Sequence, residues 1–211
     1  MGCDARSPSS FGGNAHPHPG AAEVTARRPS PDDPLGREAA AALARSRLSV
    51  RARLPDDENW PPLFARLRPG AGWAATGPEG TLLGALAVGR GGADAWDLSR
   101  AAFAAAYGPL AGPLRLARHR AAERLAAGPA CHLSAFWVAP QARGRGIGGL
   151  LLDALCAAEP GPITLLARPG REAFYRRHGF REGGPARLRL VGRLARMTAM
   201  ERPAPIPARG A

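Results

Sequence analysis

The sequence predicts a mixed α/β domain, a sheet of six or seven strands with helices packed against it. Three observations carry that expectation. A chain of 211 residues can bury one good core and is too short for two ordinary domains with linkers. Strand-like apolar runs alternate along it with segments of helical period. One unit, Cys131 to Ala158, reads strand, glycine-rich loop and helix in sequence.

Residues 1–21 hold Gly, Pro, Ser and His with almost no large apolar side chain. They cannot bury enough surface to offset the entropy of ordering, so a disordered arm is expected. His16 and His18 there read as composition rather than as metal ligands. Residues 22–200 form the expected domain, and the Pro-rich residues 201–211 a second unpacked tail. Glu23 to Arg28 suits a first strand, and Asp32-Asp33-Pro34 offers caps and an early Pro to a helix reaching Ser46. Glu58 to Leu67 is a second helical piece. Trp73–Thr76 and Thr81–Val88 flank Gly77-Pro78-Glu79-Gly80 and predict a hairpin. Asp97–Tyr107, with an Asp cap, and Leu114–Ala126 predict an inserted helical pair broken at Gly108-Pro109.

Cys131 to Val138 is the next strand, and Pro140, which cannot donate to a ladder, marks its exit from the sheet. From Ile147 the apolar positions Leu150, Leu151, Ala154, Leu155 and Ala158 follow helical spacing, until Pro160-Gly161-Pro162 ends the run. Ile163–Ala167 is a strand, and Arg171–His178 is a short helix stopped by Gly179. Arg181–Gly183 and Ala186–Met200, with a break near Gly192, read as closing strands.

The formal charge of +12 and pI near 11.4 would ordinarily suggest a polyanionic partner. All 29 basic residues are Arg, scattered along the chain with no interleaved aromatic stripe. That argues against nucleic acid and for a small anionic ligand. Cys3, Cys131 and Cys156 lack paired or metal-ligand spacing, which speaks against both a disulfide framework and a zinc site, and no metal is expected. The start has no apolar leader, and no run approaches the ~20 apolar residues of a membrane span. A cytoplasmic protein without membrane contact is the expectation.

The strongest chemical signal is the loop Gln141-Ala-Arg-Gly144-Arg-Gly146 between strand and helix. A helix N-terminus presents unpaired N–H groups and about half a unit of positive charge. Glycines there let the amides approach phosphate oxygens. Arg143 and Arg145 add charge. Gly144-Arg-Gly146-Ile-Gly-Gly149 also satisfies GxGxxG, so a dinucleotide fold is a rival. The five residues between Val138 and Gly144, and the short remainder of the chain, disfavour it. A Walker A loop requires Lys, which this sequence lacks.

Gln141-Ala-Arg-Gly144-Arg-Gly146 matches the motif Gln or Arg, two residues, Gly, one residue, Gly or Ala that follows the fourth strand in the GNAT superfamily of acyl-CoA-dependent N-acetyltransferases. Val138-Ala-Pro140 and Ile147-Gly148 around it are also typical of that family. Downstream, Ala173-Phe-Tyr-Arg-Arg-His-Gly-Phe180 resembles its Phe-Tyr, three residues, Gly-Phe segment. The resemblance spans roughly residues 22–200, with clear matches from 131 onward.

It implies a partly splayed sheet with helices on both faces, and it places the helical pair 97–126 between the third and fourth strands. The cosubstrate is then acetyl-CoA. Its pantetheine arm would pair with the backbone of Phe136, Trp137 and Val138, and its pyrophosphate would rest on Arg143, Gly144, Arg145, Gly146, Ile147 and Gly148. Tyr175 would face the thioester sulfur. A phenol of reference pKa ~10 keeps its proton at neutral pH and suits a general acid. A backbone N–H near Val138 would hold the oxyanion.

A base is less clearly marked. His132 stands six residues before Val138, where some members carry a Glu, and an imidazole of pKa ~6.5 can take a proton. Ser134, on the same face by alternation, could order a water. Arg168 replaces an Asn common in the family seven residues before the Tyr. The closing motifs are similar to the branch containing puromycin-type and other small-molecule acetyltransferases, so a small-molecule amine acceptor is expected. A protein acetyltransferase acting on an N-terminus or lysine, and a non-catalytic acyl-CoA-binding regulator, are the alternatives. The helical insertion reads as core cover rather than lid, and it also offers a surface for a homodimer.

Overall fold

The computed structural model describes residues 24–48, 63–127 and 130–204. The arm 1–21, Cys3, and residues 58–62 of the second helical piece lie outside them. The elements in chain order are β1 (Thr25–Arg27), α1 (Pro34–Leu48), β2 (Gly72–Thr76), β3 (Leu82–Gly89), α2 (Arg100–Tyr107), α3 (Ala111–Ala127) and β4 (Cys131–Val138). A short 3-10 turn (Pro140–Ala142), α4 (Ile147–Ala158), β5 (Ile163–Ala167), α5 (Glu172–Arg177), β6 (Arg181–Glu182), α6 (Ala186–Ala195) and β7 (Thr198–Arg202) follow.

The seven strands form one open sheet in the order β1-β2-β3-β4-β5-β7-β6. Every pair is antiparallel except β4 with β5, which needs the crossover helix α4 to run parallel. Helices cover both faces. Beneath one lie α1 and the inserted pair α2–α3, around Leu43, Trp96, Phe103 and Leu116. Beneath the other, α4 seals Leu86, Leu133, Ile163 and Leu165 with Leu151, Leu152 and Leu155. The expected architecture therefore stands, insertion included. No helix among the described residues is long and apolar enough to cross a membrane.

Local chemistry explains the helix starts. The Gly36 N–H donates to Asp33 Oδ1 at 2.5 Å ahead of α1. Ser99, rather than the expected Asp97, caps α2 by accepting from the Ala102 N–H at 3.3 Å.

One expectation fails outright. Ala186–Met200 is not a broken strand but α6 followed by β7. The run Arg-Leu-Arg-Leu mimics period-two alternation, yet burial follows helical spacing. Leu188 and Gly192 face inward, while Leu190 and Leu194 are 58% and 79% exposed. Gly192 is a close approach rather than a break, since a Cβ there would stand 2.8 Å from the Met197 carbonyl. β7 also runs through Arg202, so Glu201 and Arg202, assigned to the tail by composition, belong to the sheet.

Candidate active site

β4 is the strand on which the site is built. Cys131, His132 and Leu133 pair with β5 on one edge, and His132 and Leu133 pair with β3 on the other. Beyond Leu133 the parallel ladder stops, and residues 135–138 stay paired with β3 alone. The two strands splay apart there and leave one edge of β4 open.

A β-bulge sits at the parting point. Ala87 pairs with Ala135 and Val88 with Leu133, so Ser134 is the extra residue. The bulge reverses the alternation: Cys131 and Leu133 face the α4 core before it, whereas Ala135 and Trp137 pack against the α1 core after it. Ser134 itself lines the same cleft as His132, and the reversal applies to the residues after it.

Backbone direction along the open edge follows from the antiparallel ladder. The Ala139 N–H donates to the Leu83 carbonyl at 2.9 Å, so odd-numbered residues turn their peptide groups toward β3. Those of Phe136 and Val138 point into the splay. Their carbonyls accept from the Ser46 hydroxyl at 3.4 Å and from Arg143 Nε at 3.4 Å. Trp137, expected to share in this edge, directs its backbone to β3 instead, while it still lines the cleft.

The loop after β4 has the form an anion cradle requires. Gly144 and Gly146 take φ of 75° and 79°, a conformation that disfavours residues with a Cβ. Gly146 precedes α4 without a side-chain cap. The first intrahelical bond is Leu150 N–H to Gly146 carbonyl at 3.0 Å. The amides of Ile147, Gly148 and Gly149 are thus left for an external acceptor. A Cβ on Gly148 would stand 3.1 Å from Phe174 Cζ and 3.4 Å from Phe136 Cζ, so glycine lets α4 approach those rings.

The open edge, this loop and α5 enclose a cleft of about 1540 Å³. It is lined by every residue expected at the site except Arg145, Tyr175 and His132 included. Arg143, Arg168, Arg171, Arg177 and Arg196 line it too, a concentration of charge that the linear sequence scatters. Arg168 Nη2 donates to the Ser46 carbonyl at 3.2 Å and ties the end of β5 to α1 across the splay. The donor set of helix-start amides, open strand edge and arginines fits a long polyanion such as coenzyme A.

Tyr175 lies among aromatic rings, with centroids 5.2 Å to Phe174 and 5.9 Å to Phe180 in T-shaped contact, and 6.5 Å to Phe136. Burial pushes its phenol up to about 12, against opposing pulls from Arg168 and Arg171. It is protonated throughout the neutral range. His132 is 4% exposed, and its Nδ1 is 3.0 Å from the Thr164 hydroxyl. Thr164 Oγ1 in turn donates to the Cys131 carbonyl at 3.4 Å. The threonine oxygen is then the acceptor for Nδ1–H, which assigns the basic lone pair of the neutral ring to Nε2.

Ser46 and Glu123 are among the lining residues that the sequence reading did not single out. Ser46 lies on α1, distant from any motif, and Glu123 lies on the inserted helix α3. Only the i, i+4 pair His119 and Glu123, polar residues on one face of an Ala-rich helix, signalled the second.

A family model for an acetyltransferase (GNAT) domain matches residues 100–182. The fold recurs in solved structures. One from Corynebacterium glutamicum, described as histone acetyltransferase HPA2 and related acetyltransferase, is 19% identical over 88% of this chain and 98% of its own, with a TM-score of 0.52. A GNAT-family acetyltransferase from Staphylococcus aureus is 13% identical over 87% of this chain and all of its own, with a TM-score of 0.53. N-acetylglutamate synthase from Neisseria gonorrhoeae, complexed with coenzyme A and N-acetyl-glutamate, is 14% identical over 88% of this chain and 36% of its own, with a TM-score of 0.50. No curated protein sequence matches the chain. Sheet, splay and matched domain together define an acyltransferase. Residues 100–182 thus carry an acetyltransferase (GNAT) domain match, on a fold shared with GNAT-family acetyltransferases of solved structure.

Proposed function

We propose that the protein transfers the acetyl group of acetyl-CoA to a primary amine of a small molecule, with Tyr175 as general acid. The observation that carries this reading is the convergence, in one cleft, of the glycine cradle before α4, the open edge of β4 and the protonated Tyr175.

Each component has a distinct task. The amides of Ile147 to Gly149, with Arg143 beside them, hold the pyrophosphate of the cosubstrate. The peptide groups of Phe136 and Val138 pair with its amide-bearing arm as a further strand would. Acetyl-CoA supplies an activated thioester carbonyl. The Val138 N–H, fixed by the β3 ladder, is suited to stabilise negative charge developing on that oxygen. A thiolate leaving without a proton is costly in an apolar pocket, and the Tyr175 hydroxyl can supply one. His132, with Nε2 basic, is a candidate to accept the amine's proton.

The test is thiol release from acetyl-CoA over a panel of small amines, with a lysine peptide and an N-terminal peptide as competing acceptors. Small amines should be turned over faster than either peptide. Tyr175→Phe should lower kcat about a hundredfold while calorimetry gives an unchanged acetyl-CoA affinity. A Tyr175→Phe enzyme with wild-type kcat would remove the tyrosine from the mechanism.

A further inference from the structure

We propose that Glu123 of the inserted helix receives the proton of the acceptor's ammonium group, so that the insertion completes the acceptor half of the site. This rests on the acetyl-transfer reading given above.

Glu123 is 7% exposed and lines the cleft. A carboxylate so far from bulk water needs polar company. The Ser134 hydroxyl donates to its Oε2 at 3.4 Å, and Ser134 is the bulged residue at which β4 leaves β5. The irregularity in the strand thus aims a hydroxyl at α3. At a rise of about 3.3 Å per residue, Ser134 lies roughly 13 Å along β4 from Val138, with Phe136 between them. The carboxylate therefore stands at the inner end of the open edge, and a file of about four waters at ~2.8 Å spacing would span the distance to Val138.

A second cavity, of about 120 Å³, is lined by Arg68, Asp94, Arg120, Arg124 and Glu123. Glu123 is the residue common to both linings. At about 30 Å³ per water, the smaller cavity has room for about four waters. A proton taken on the cleft side could leave to solvent through the smaller cavity.

The step balances simply. An N–H bond of the ammonium breaks, its electron pair stays on nitrogen as the nucleophilic lone pair, and the proton forms the O–H bond of Glu123. Release of that proton to water restores the carboxylate. The charged and titratable groups around this step are His119, Arg120 and Arg124 on α3, Arg68 before β2, and Asp94 after β3. His132 on β4, Arg168 after β5 and Arg196 after α6 line the cleft side. An uncharged imidazole offers a lone pair but no attraction for a cation; a carboxylate offers both.

The experiment measures kcat/KM from roughly pH 6 to 10 for wild type, Glu123→Gln and His132→Asn. The acceptor is the best amine of the panel, with aniline as a weakly basic probe already neutral at pH 7, and acetyl-CoA affinity is measured by calorimetry. Glu123→Gln should lose about a hundredfold on the basic amine at pH 7. The deficit should shrink about tenfold per pH unit as free amine accumulates, while aniline turnover and acetyl-CoA affinity change less than about threefold. Ser134→Ala, which keeps the carboxylate, should show a smaller deficit of about fivefold with the same pH signature. That variant decides the matter if Glu123→Gln does not fold. A deficit equal at every pH, or activity at pH 7 within threefold of wild type, overturns the role of Glu123 and leaves acetyl transfer standing. Acetyl-CoA binding with no amine acetylated by wild type overturns both.

Discussion

One wall of the cleft, from Phe136 through the glycine loop to Tyr175, is made of backbone and interlocked rings. The opposite wall, from Glu123 on α3 to Arg196 after α6, is made of side chains carried on helices. In the proposed reaction the first would hold the cosubstrate by peptide groups, whose positions depend on φ angles such as those of Gly144 and Gly146. The second would meet the acceptor with groups that could be exchanged without moving the main chain. A protein assembled this way can keep one donor substrate and change the acceptor by altering the insertion and α6.

The sharpest way to break this contrast asks whether the second wall is part of the same folding unit. Phe103 of α2 is 1% exposed and packs on Phe64 at 6.5 Å and Tyr107 at 6.0 Å. It joins one apolar cluster with Leu43 of α1 and Trp96. Phe103→Ala should therefore cost about 3–5 kcal/mol in a single denaturant transition. If the insertion were an appendage, a separate early transition would appear, with acetyl-CoA binding retained after it.

The first wall is probed by Gly146→Val. A β-branched residue at φ 79° is strained by about 1–2 kcal/mol, so stability should drop by about that much. Acetyl-CoA affinity should fall at least tenfold, because the amides before α4 lose their aim. Wild-type affinity in this variant would remove the loop from the binding site.

The same contrast explains what was legible in the sequence. Gly144, Gly146 and the ring pair Phe174-Tyr175 could be read because backbone cradles and close approaches demand particular residue types. Glu123 was not, since any surface helix of this composition carries acids and only tertiary packing reveals which one is turned inward. The sheet itself was foreseen through β5. It was misread at α6, where Leu188, Leu190 and Leu194 admit both periods until burial chooses between them. The bulge at Ser134 left no local mark, and the role of the Trp137 backbone was misassigned because ladder phase depends on the partner strand. Arg168 was seen as a departure from the family pattern, but its bond to Ser46 needed α1 in place.

The smallest expected effect also concerns the first wall and requires no ligand. Burial holds the Tyr175 phenol near 12, whereas in the unfolded chain it titrates at about 10. For a group whose folded pKa is raised, the contribution to stability is complete below the unfolded value and is lost as pH climbs through the folded one. Between about pH 10 and 12 the unfolded state gives up this proton while the native state keeps it, and wild-type stability should decline. Tyr175→Phe removes the titration, so its decline over that window should be shallower, by on the order of 1 kcal/mol, with the curves parallel below pH 9. The other tyrosine, Tyr107, is present in both proteins and cancels from the difference. Parallel curves through pH 12 would mean that Tyr175 is open to water. A phenol in that setting loses the apolar surroundings that make it a proton donor poised for a departing thiolate, and the first wall would be left with a cradle but no acid.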